Sequence, residues 1–120
     1  MNNNPDTEIT LQDKIAVVHF KATSISNPEN IASTKILIKD FIKENQPQNI
    51  VFDFEQVKFF SSQVLGVLID VRSQLQEKGG DVVISAIDPQ LHRVFRITNL
   101  DKIFNFFPGK NAAVKSFRSD

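Results

Sequence analysis

The side chains that could do chemistry in this 120-residue chain are two histidines, His19 and His92, and a pair of hydroxyls, Ser61 and Ser62. A serine nucleophile needs a base within hydrogen-bond reach, and an imidazole is the usual base. Neither histidine has an Asp or Glu at a spacing that would orient it, and no histidine pattern has metal-ligand spacing. We therefore expect His19 to be a half-buried strand residue and His92 a solvated or capping helix residue, with no catalytic residue and no metal ligand.

Glycine and carboxylate patterns predict no further catalytic site. Phosphate-binding loops place glycines between a strand and the following helix, whereas Gly79 and Gly80 follow a predicted helix and are expected to cap its C-terminal end. Asp53 and Glu55 stand two residues apart at a strand end with no further acid placed to share a substrate, so we expect Asp53 to bond nearby backbone amides. The chain has no cysteine, which excludes thiolate nucleophiles and disulfides. We expect a protein that is not an enzyme and needs no cofactor.

Composition narrows the partners and the location. Fourteen Lys and Arg balance fourteen Asp and Glu, and a nucleic acid or a membrane surface would favour a basic excess, so we expect neither as a partner. Apolar runs reach at most six residues, too few to span a bilayer, and residues 1–6 lack a signal-peptide pattern. We therefore predict a cytoplasmic protein.

Hydrophobic periodicity predicts strands that alternate with helices. The predicted strands are a weak edge strand at 7–11, strong strands at 15–20, 49–54 and 81–86, and a short strand at 103–107. The first helix begins at Asn27-Pro28 and the third at Asp88-Pro89, since Asn and Asp cap helices and proline suits the first helical position. The second helix runs from the 61–63 turn to Gly79, and the last covers 111–117.

This alternation predicts an α/β fold. We expect a small single-domain sandwich with a mixed, largely parallel sheet of four to five strands and about four helices, because parallel neighbours require crossover connections. Residues 1–6 are polar and Asn-rich and are predicted to be a disordered tail, and 7–118 form the one domain.

The turn from strand to helix at 59–66 carries the strongest candidate for function. One of its two hydroxyls can cap the helix that follows. A phosphoryl group there would add about −1.5 to −2 charge, which the helix dipole tolerates but which would repel an acidic or apolar partner. Gly66 costs about 1 kcal/mol in a helix relative to Ala, so close packing or the approach of a partner is expected to explain it.

Three segments, 50–68, 78–84 and 91–104, resemble in order and spacing the anti-sigma factor antagonist family of STAS domains. The first reads IVFDFEQVKFFSSQVLGVL, where the family typically has a strand Val-x-Leu-Asp-Leu and then Asp-Ser-Ser-Gly-Leu-Gly. The third contains VFRITNLDKIF, which is similar to the family's Val-Leu-x-x-Thr-Gly-Leu-x-x-x-Phe. The resemblance covers roughly residues 7–118.

The resemblance implies a non-enzymatic module that switches partners. An unphosphorylated antagonist binds an anti-sigma factor, often itself a serine kinase, and so releases a sigma factor, whereas phosphorylation of a serine at the second helix ends that binding. The alternative within the family is a domain that binds a small molecule, a nucleotide or a lipid. The sequence predicts no oligomeric state and does not name the partner.

Aligned without gaps, the family's Asp falls on Ser61, its first Ser on Ser62 and its phosphorylated Ser on Gln63, which cannot accept phosphate. The following glycine falls on Val64. A shift of one residue would make Ser62 the acceptor but would break the match at Gly66.

The resemblance thus implies a partner-binding turn with Asp53 in support. The turn comprises Ser61, Ser62, Gln63, Val64 and Gly66, with Ser62 or Ser61 as the remaining phosphorylation candidates. The loop 21–26, which usually carries an acid in the family, has none here.

Overall fold

The structure is a computed structural model that describes residues 6–118, so the predicted tail lies outside the described residues except for Asp6. The strands are β1 (Thr7–Gln12), β2 (Ile15–Phe20), β3 (Ser24–Ile25), β4 (Asn49–Asp53), β5 (Phe59–Phe60), β6 (Val82–Ser85) and β7 (Asn105–Phe107). The helices are α1 (Pro28–Asn45), α2 (Ser62–Gln76), α3 (Pro89–Ile97) and α4 (Lys110–Ser116), and a 3₁₀ turn lies at Leu100–Lys102.

Five strands form one sheet in the order β1-β2-β4-β6-β7. The edge strand β1 pairs antiparallel with β2, and the other three pairings are parallel. The predicted α/β sandwich with a mixed, largely parallel sheet and four helices is confirmed. A second, two-stranded parallel sheet joins β3 to β5. The sequence did not predict that small sheet, because each of its strands is only two residues long.

Different helices pack on the two faces of the main sheet. Alternate residues of β2 and β4, such as Val18 and Phe52, pack with α1, α2 and α3 in the larger core. The intervening residues, such as Val17 and Val51, pack under α4 with Ala113. This arrangement follows from the strand period of two, which sends neighbouring side chains to opposite faces. No helix within residues 6–118 is both long enough and apolar enough to cross a membrane.

Local signals set the starts of α1 and α3 and the end of α2 as expected. The Asn27 side chain accepts hydrogen bonds from the amides of Glu29 (2.9 Å) and Asn30 (3.0 Å), and Asp88 caps α3 in the same way. Gly79 takes a left-handed conformation (φ 81°) after α2, as predicted for a C-terminal cap. A Cβ on Gly80 would lie 1.8 Å from the carbonyl oxygen of Gln48, so this position requires glycine.

Candidate functional site

The N-terminal ends of α1 and α2 lie side by side, and the small sheet holds them there. The amides of Lys58 and Phe59 donate to the carbonyl of Thr23, at 2.7 and 3.1 Å, and the amide of Ser61 donates to the carbonyl of Ile25 at 3.0 Å. The acid-free loop that follows β2 therefore positions the start of α2 through backbone bonds.

Ser61 occupies the N-cap position of α2 but makes no capping bond with its side chain. The amide of Val64 donates instead to the backbone carbonyl of Ser61 at 3.1 Å, which closes a tight first turn. The Oγ of Ser61 is buried and has no hydrogen-bond partner among the described residues. The expectation that a hydroxyl caps this helix is wrong, because the backbone carbonyl already takes the amide that the hydroxyl would have reached.

The first turn of α2 divides into an exposed and a buried side. Ser62, Gln63 and Gly66 face solvent, whereas Val64 is buried in the larger core. The Gln63 side-chain amide donates to the carbonyl of Pro28 at 3.4 Å, which links the starts of the two helices. Of the predicted turn residues, Val64 therefore contributes packing and not surface.

Gly66 has open space around it, since a Cβ added there would meet no atom within 4 Å. The expectation that close packing explains this glycine is therefore wrong. Within the chain itself an alanine would fit and would favour the helix. The approach of a partner, the other predicted explanation, stays a prediction.

Phe59 is the site residue that sequence reasoning missed. Its side chain is 54% exposed, whereas that of its neighbour Phe60 is buried. The Phe59-Phe60 pair is the sequence feature that could have revealed it, because successive side chains of a strand point to opposite faces of the sheet. We call the set Phe59, Ser62, Gln63 and Gly66 the docking patch; it is exposed and carries no ionisable side chain.

His19 is half-buried on β2, as expected, but it does have an orienting carboxylate. Its Nδ1 lies 2.7 Å from Oδ2 of Asp53, and its Nε2 lies 3.3 Å from Oε1 of Gln56. The expectation that neither histidine meets an acid is wrong for His19, because the parallel register of β2 and β4 sets it beside Asp53. Asp53 accepts a backbone amide as predicted, from Glu55 at 3.3 Å.

His92 on α3 is neither a free surface group nor a cap. Its ring lies 4.3 Å from that of Phe106, centroid to centroid, at an interplanar angle of 41°. This contact with β7 half-buries the imidazole. The sequence could not predict this contact, because it depends on where β7 joins the sheet.

The STAS domain family model matches residues 7–113, which is almost the whole described part of the chain. This chain belongs to the STAS domain family. The structure of an anti-sigma-factor antagonist (STAS) domain protein from Planctomyces limnophilus shares the fold with a TM-score of 0.83 at 19% identity, over 94% of this chain and 98% of that one. The Bacillus cell fate determinant SpoIIAA in its phosphorylated form matches with a TM-score of 0.73 at 16% identity, over 93% and 99%.

A curated relative of this STAS domain is the anti-sigma F factor antagonist of Paenibacillus polymyxa, 25% identical over 73 residues. The alignment spans 61% of this chain and 62% of the relative. The Paenibacillus polymyxa relative and the Planctomyces limnophilus protein thus bear the name of anti-sigma factor antagonist, and the resemblance to STAS domains drawn from the motifs is confirmed.

Gln63 stands at the second helical position of α2 in this STAS domain, where the gapless resemblance puts the family's phosphorylated serine. Ser62 precedes it at the first helical position and is exposed. Of the two remaining phosphorylation candidates, only Ser62 presents an accessible hydroxyl, because the oxygen of Ser61 is buried.

Proposed function

We propose that this STAS domain is an anti-sigma factor antagonist that binds an anti-sigma factor through the docking patch and thereby releases a sigma factor. The observation that carries the proposal is the exposed, uncharged surface at the start of α2, with an unoccupied space above Gly66. Relatives that bear the name of anti-sigma factor antagonist support the class of partner.

The chemistry of the patch suits a protein partner. Burial of apolar surface is worth roughly 25 cal/mol per Å², so Phe59 is the side chain expected to contribute most. A glycine on the outer face of a helix lets a partner's backbone approach closely. Ser62 and Gln63 add hydrogen-bonding groups, and none of the four residues carries a charge that would need desolvation.

We further propose that the patch binds constitutively. Gln63 offers no hydroxyl at the family's acceptor position, and the Ser61 hydroxyl lies out of reach of a kinase. Incubation with a serine-kinase anti-sigma factor, followed by mapping of modified residues by mass spectrometry, is expected to leave the chain unmodified and still able to bind. Phosphate on Ser62 that ends binding would contradict constitutive binding and establish a shifted switch.

Binding without catalysis is part of the same proposal. His19 contacts Asp53 and Gln56, and His92 contacts Phe106. With these contacts, neither imidazole serves as a base for Ser61 or Ser62. A cytoplasmic location, where sigma factors act, follows from the proposed partner.

A small-molecule site is the less favoured function. The concavity between β3 and the start of α1, lined by Phe20, Ser24, Asn27 and Asn30 among others, holds about 100 Å³. Sites for drug-sized ligands typically occupy about 300–1,000 Å³. A nucleotide or lipid would therefore require this concavity to widen. A larger concavity of about 370 Å³ at Gln12, Asn111, Val114, Lys115 and Arg118 has one apolar lining residue, Val114, whereas ligand sites are lined mainly by apolar side chains.

The test is titration calorimetry of the purified chain against the anti-sigma factors encoded in its own genome. We expect one of them to bind, and we expect Phe59→Ala and Ser62→Asp to weaken that binding at least about tenfold, as for central contacts of an interface. Ser73→Asp is the matched control, because it makes the same change at an exposed position near the other end of α2.

The variant Gly66→Ala distinguishes an effect on partner binding from an effect on the stability of the fold. An added methyl group meets nothing within 4 Å, so the free energy of unfolding should be unchanged or should rise by up to about 1 kcal/mol. Binding to the partner should weaken. Equal affinity of the wild type, Phe59→Ala and Gly66→Ala for the partner would show that the interface lies elsewhere.

A further inference from the structure

We propose that His19, Asp53 and Glu55 form a binding site for a divalent transition-metal ion of the Zn²⁺ type. Each offers one ligand atom, and the three atoms lie within 4.8 Å of one another. This site is separate from the docking patch, and the proposal does not depend on the anti-sigma factor function.

The site is built at the carboxyl ends of the parallel strands, on the sheet face that packs against α4. The register sets His19 of β2 beside Asp53 of β4, and Asp53 beside Ser85 of β6. Glu8 of β1 stands directly opposite His19 in the antiparallel register. One row across the sheet thus brings an imidazole between carboxylates that are distant in sequence.

Each ring nitrogen of His19 faces an oxygen atom, so a neutral imidazole can donate a hydrogen bond to only one of them. Nε2 faces Oε1 of Gln56 at 3.3 Å and Nδ1 faces Oδ2 of Asp53 at 2.7 Å, and both oxygens are acceptors. A neutral imidazole has one N–H. When Nε2–H donates to Gln56, the lone pair of Nδ1 points at Oδ2 of Asp53. A metal ion that binds both Nδ1 and Oδ2 would accept a lone pair from each.

This is the arrangement that metal-binding histidines adopt, with one nitrogen on the ion and the other donating to an acceptor further out. Two ligand atoms about 2.0–2.1 Å from one tetrahedral ion lie about 3.3–3.4 Å apart, so this pair, now at 2.7 Å, must open by about 0.6–0.7 Å to take the ion. Gln56 would hold the ring in the tautomer that the ion requires.

Asp53 is oriented for the same role. Its Oδ1 accepts from Oγ of Ser85 at 3.2 Å and from the amide of Glu55 at 3.3 Å, which leaves Oδ2 directed at His19. The side chain is almost fully buried, so its position is set by these bonds. Glu55 is exposed and closes the site from the solvent side.

The ligand set decides the class of ion. One imidazole and two carboxylates match the nitrogen and oxygen donors of Zn²⁺ sites, and the two carboxylates balance its charge. Three protein ligands leave one position of a tetrahedral ion open to water. Lys110 lines the concavity next to Asp53 and Glu55, so its positive charge should oppose the ion.

The experiment titrates the full chain with ZnCl₂ at pH 7 by calorimetry. We expect one ion per chain, at least about tenfold weaker binding in His19→Gln and in Glu55→Gln, and tighter binding in Lys110→Ala. His92→Gln is the matched control, since it removes the other histidine, and it should bind as the wild type does. Glu55→Gln changes an exposed side chain, so loss of folding does not confuse its result.

Long-range proton–nitrogen spectra of the histidine rings add a second measurement. On addition of Zn²⁺ we expect the Nδ1 resonance of His19 to shift while Nε2 stays protonated. The proposal is overturned if the wild type shows no saturable binding, if His19→Gln binds as well as the wild type, or if only His92 responds.

Discussion

Ser61 and Ser62 are neighbours in sequence, yet their hydroxyls meet opposite surroundings. That of Ser62 faces solvent at the first position of α2, whereas that of Ser61 is buried without a partner. A buried, unpaired hydroxyl costs about 1–3 kcal/mol of desolvation that no bond returns. The N-cap serine of α2 therefore does not stabilise the helix in the way that its position suggests.

Ser61→Ala should leave the free energy of unfolding unchanged or raise it, because the change removes an unpaired polar atom and no hydrogen bond. Urea unfolding measures this. The matched control is Asn27→Ala at the N-cap of α1, where two capping bonds are lost and a cost of about 0.5–2 kcal/mol is expected. Similar losses in the two variants would show that Ser61 does cap α2 in solution.

The two helices that flank the docking patch are coupled along their length as well as at their starts. Asp70 on α2 lies 2.9 Å from Nζ of Lys39 and 3.2 Å from that of Lys35, both on α1. The hydrogen bonds from Lys39 and Lys35 lower the pKa of Asp70 below its ordinary value of 3.8. The Asp70 side chain is 38% exposed, so solvent screens part of this stabilisation.

A lowered pKa means that the unfolded chain binds the proton more tightly, so this contribution is present above pH 3.8 and is lost as the pH falls through the lower, folded value. Asp70→Asn should cost less than about 1 kcal/mol of unfolding free energy at pH 7, and this cost should shrink progressively as the pH falls below 3.8. Urea unfolding at pH 7 and at a series of acid pH values measures the difference. A cost that is as large in acid as at pH 7 would rule out the ion pairs as its source.

At the scale of the whole molecule, phenylalanine rings join the elements of the larger core. Phe95 of α3 lies in edge contact with Phe60, Phe104 and Phe106, at centroid distances of 6.0, 6.0 and 5.2 Å. Through Phe60 the contacts continue to the β4 end of the sheet at Phe54. Rings without a polar atom can fill this space with no hydrogen-bond partner, which suits Phe to these core positions.

Phe95→Ala should cost about 3–5 kcal/mol of unfolding free energy, because it opens a cavity where four rings meet. Phe59→Ala, the same change on the exposed docking patch, should cost less than about 1 kcal/mol. Denaturant unfolding of both variants measures the contrast. If Phe95→Ala does not fold, Phe95→Leu should fold with a smaller loss; equal costs for Phe95→Ala and Phe59→Ala would contradict the described core.

The sequence by itself determined the four predicted helices, the five strands of the main sheet and the order of these elements. Caps such as Asn27 and Asp88, the glycine after α2 and the two periodicities act over a few residues, so each can be recognised without knowing its neighbours in space. Strands that alternate with helices then leave few arrangements besides a largely parallel sheet. The segments 50–68, 78–84 and 91–104, taken together in order and spacing, added the resemblance to the family.

The tertiary structure alone decided which side chains meet and which hydroxyl is accessible. His19 and Asp53 are 34 residues apart, and they are neighbours only because a crossover through α1 sets β2 and β4 in one register. The bare outer face at Gly66, the burial of Ser61 and the exposure of Phe59 likewise depend on packing around the start of α2. Contacts between segments that are distant in sequence form only when the whole chain folds, and local propensity carries no information about which segments will meet.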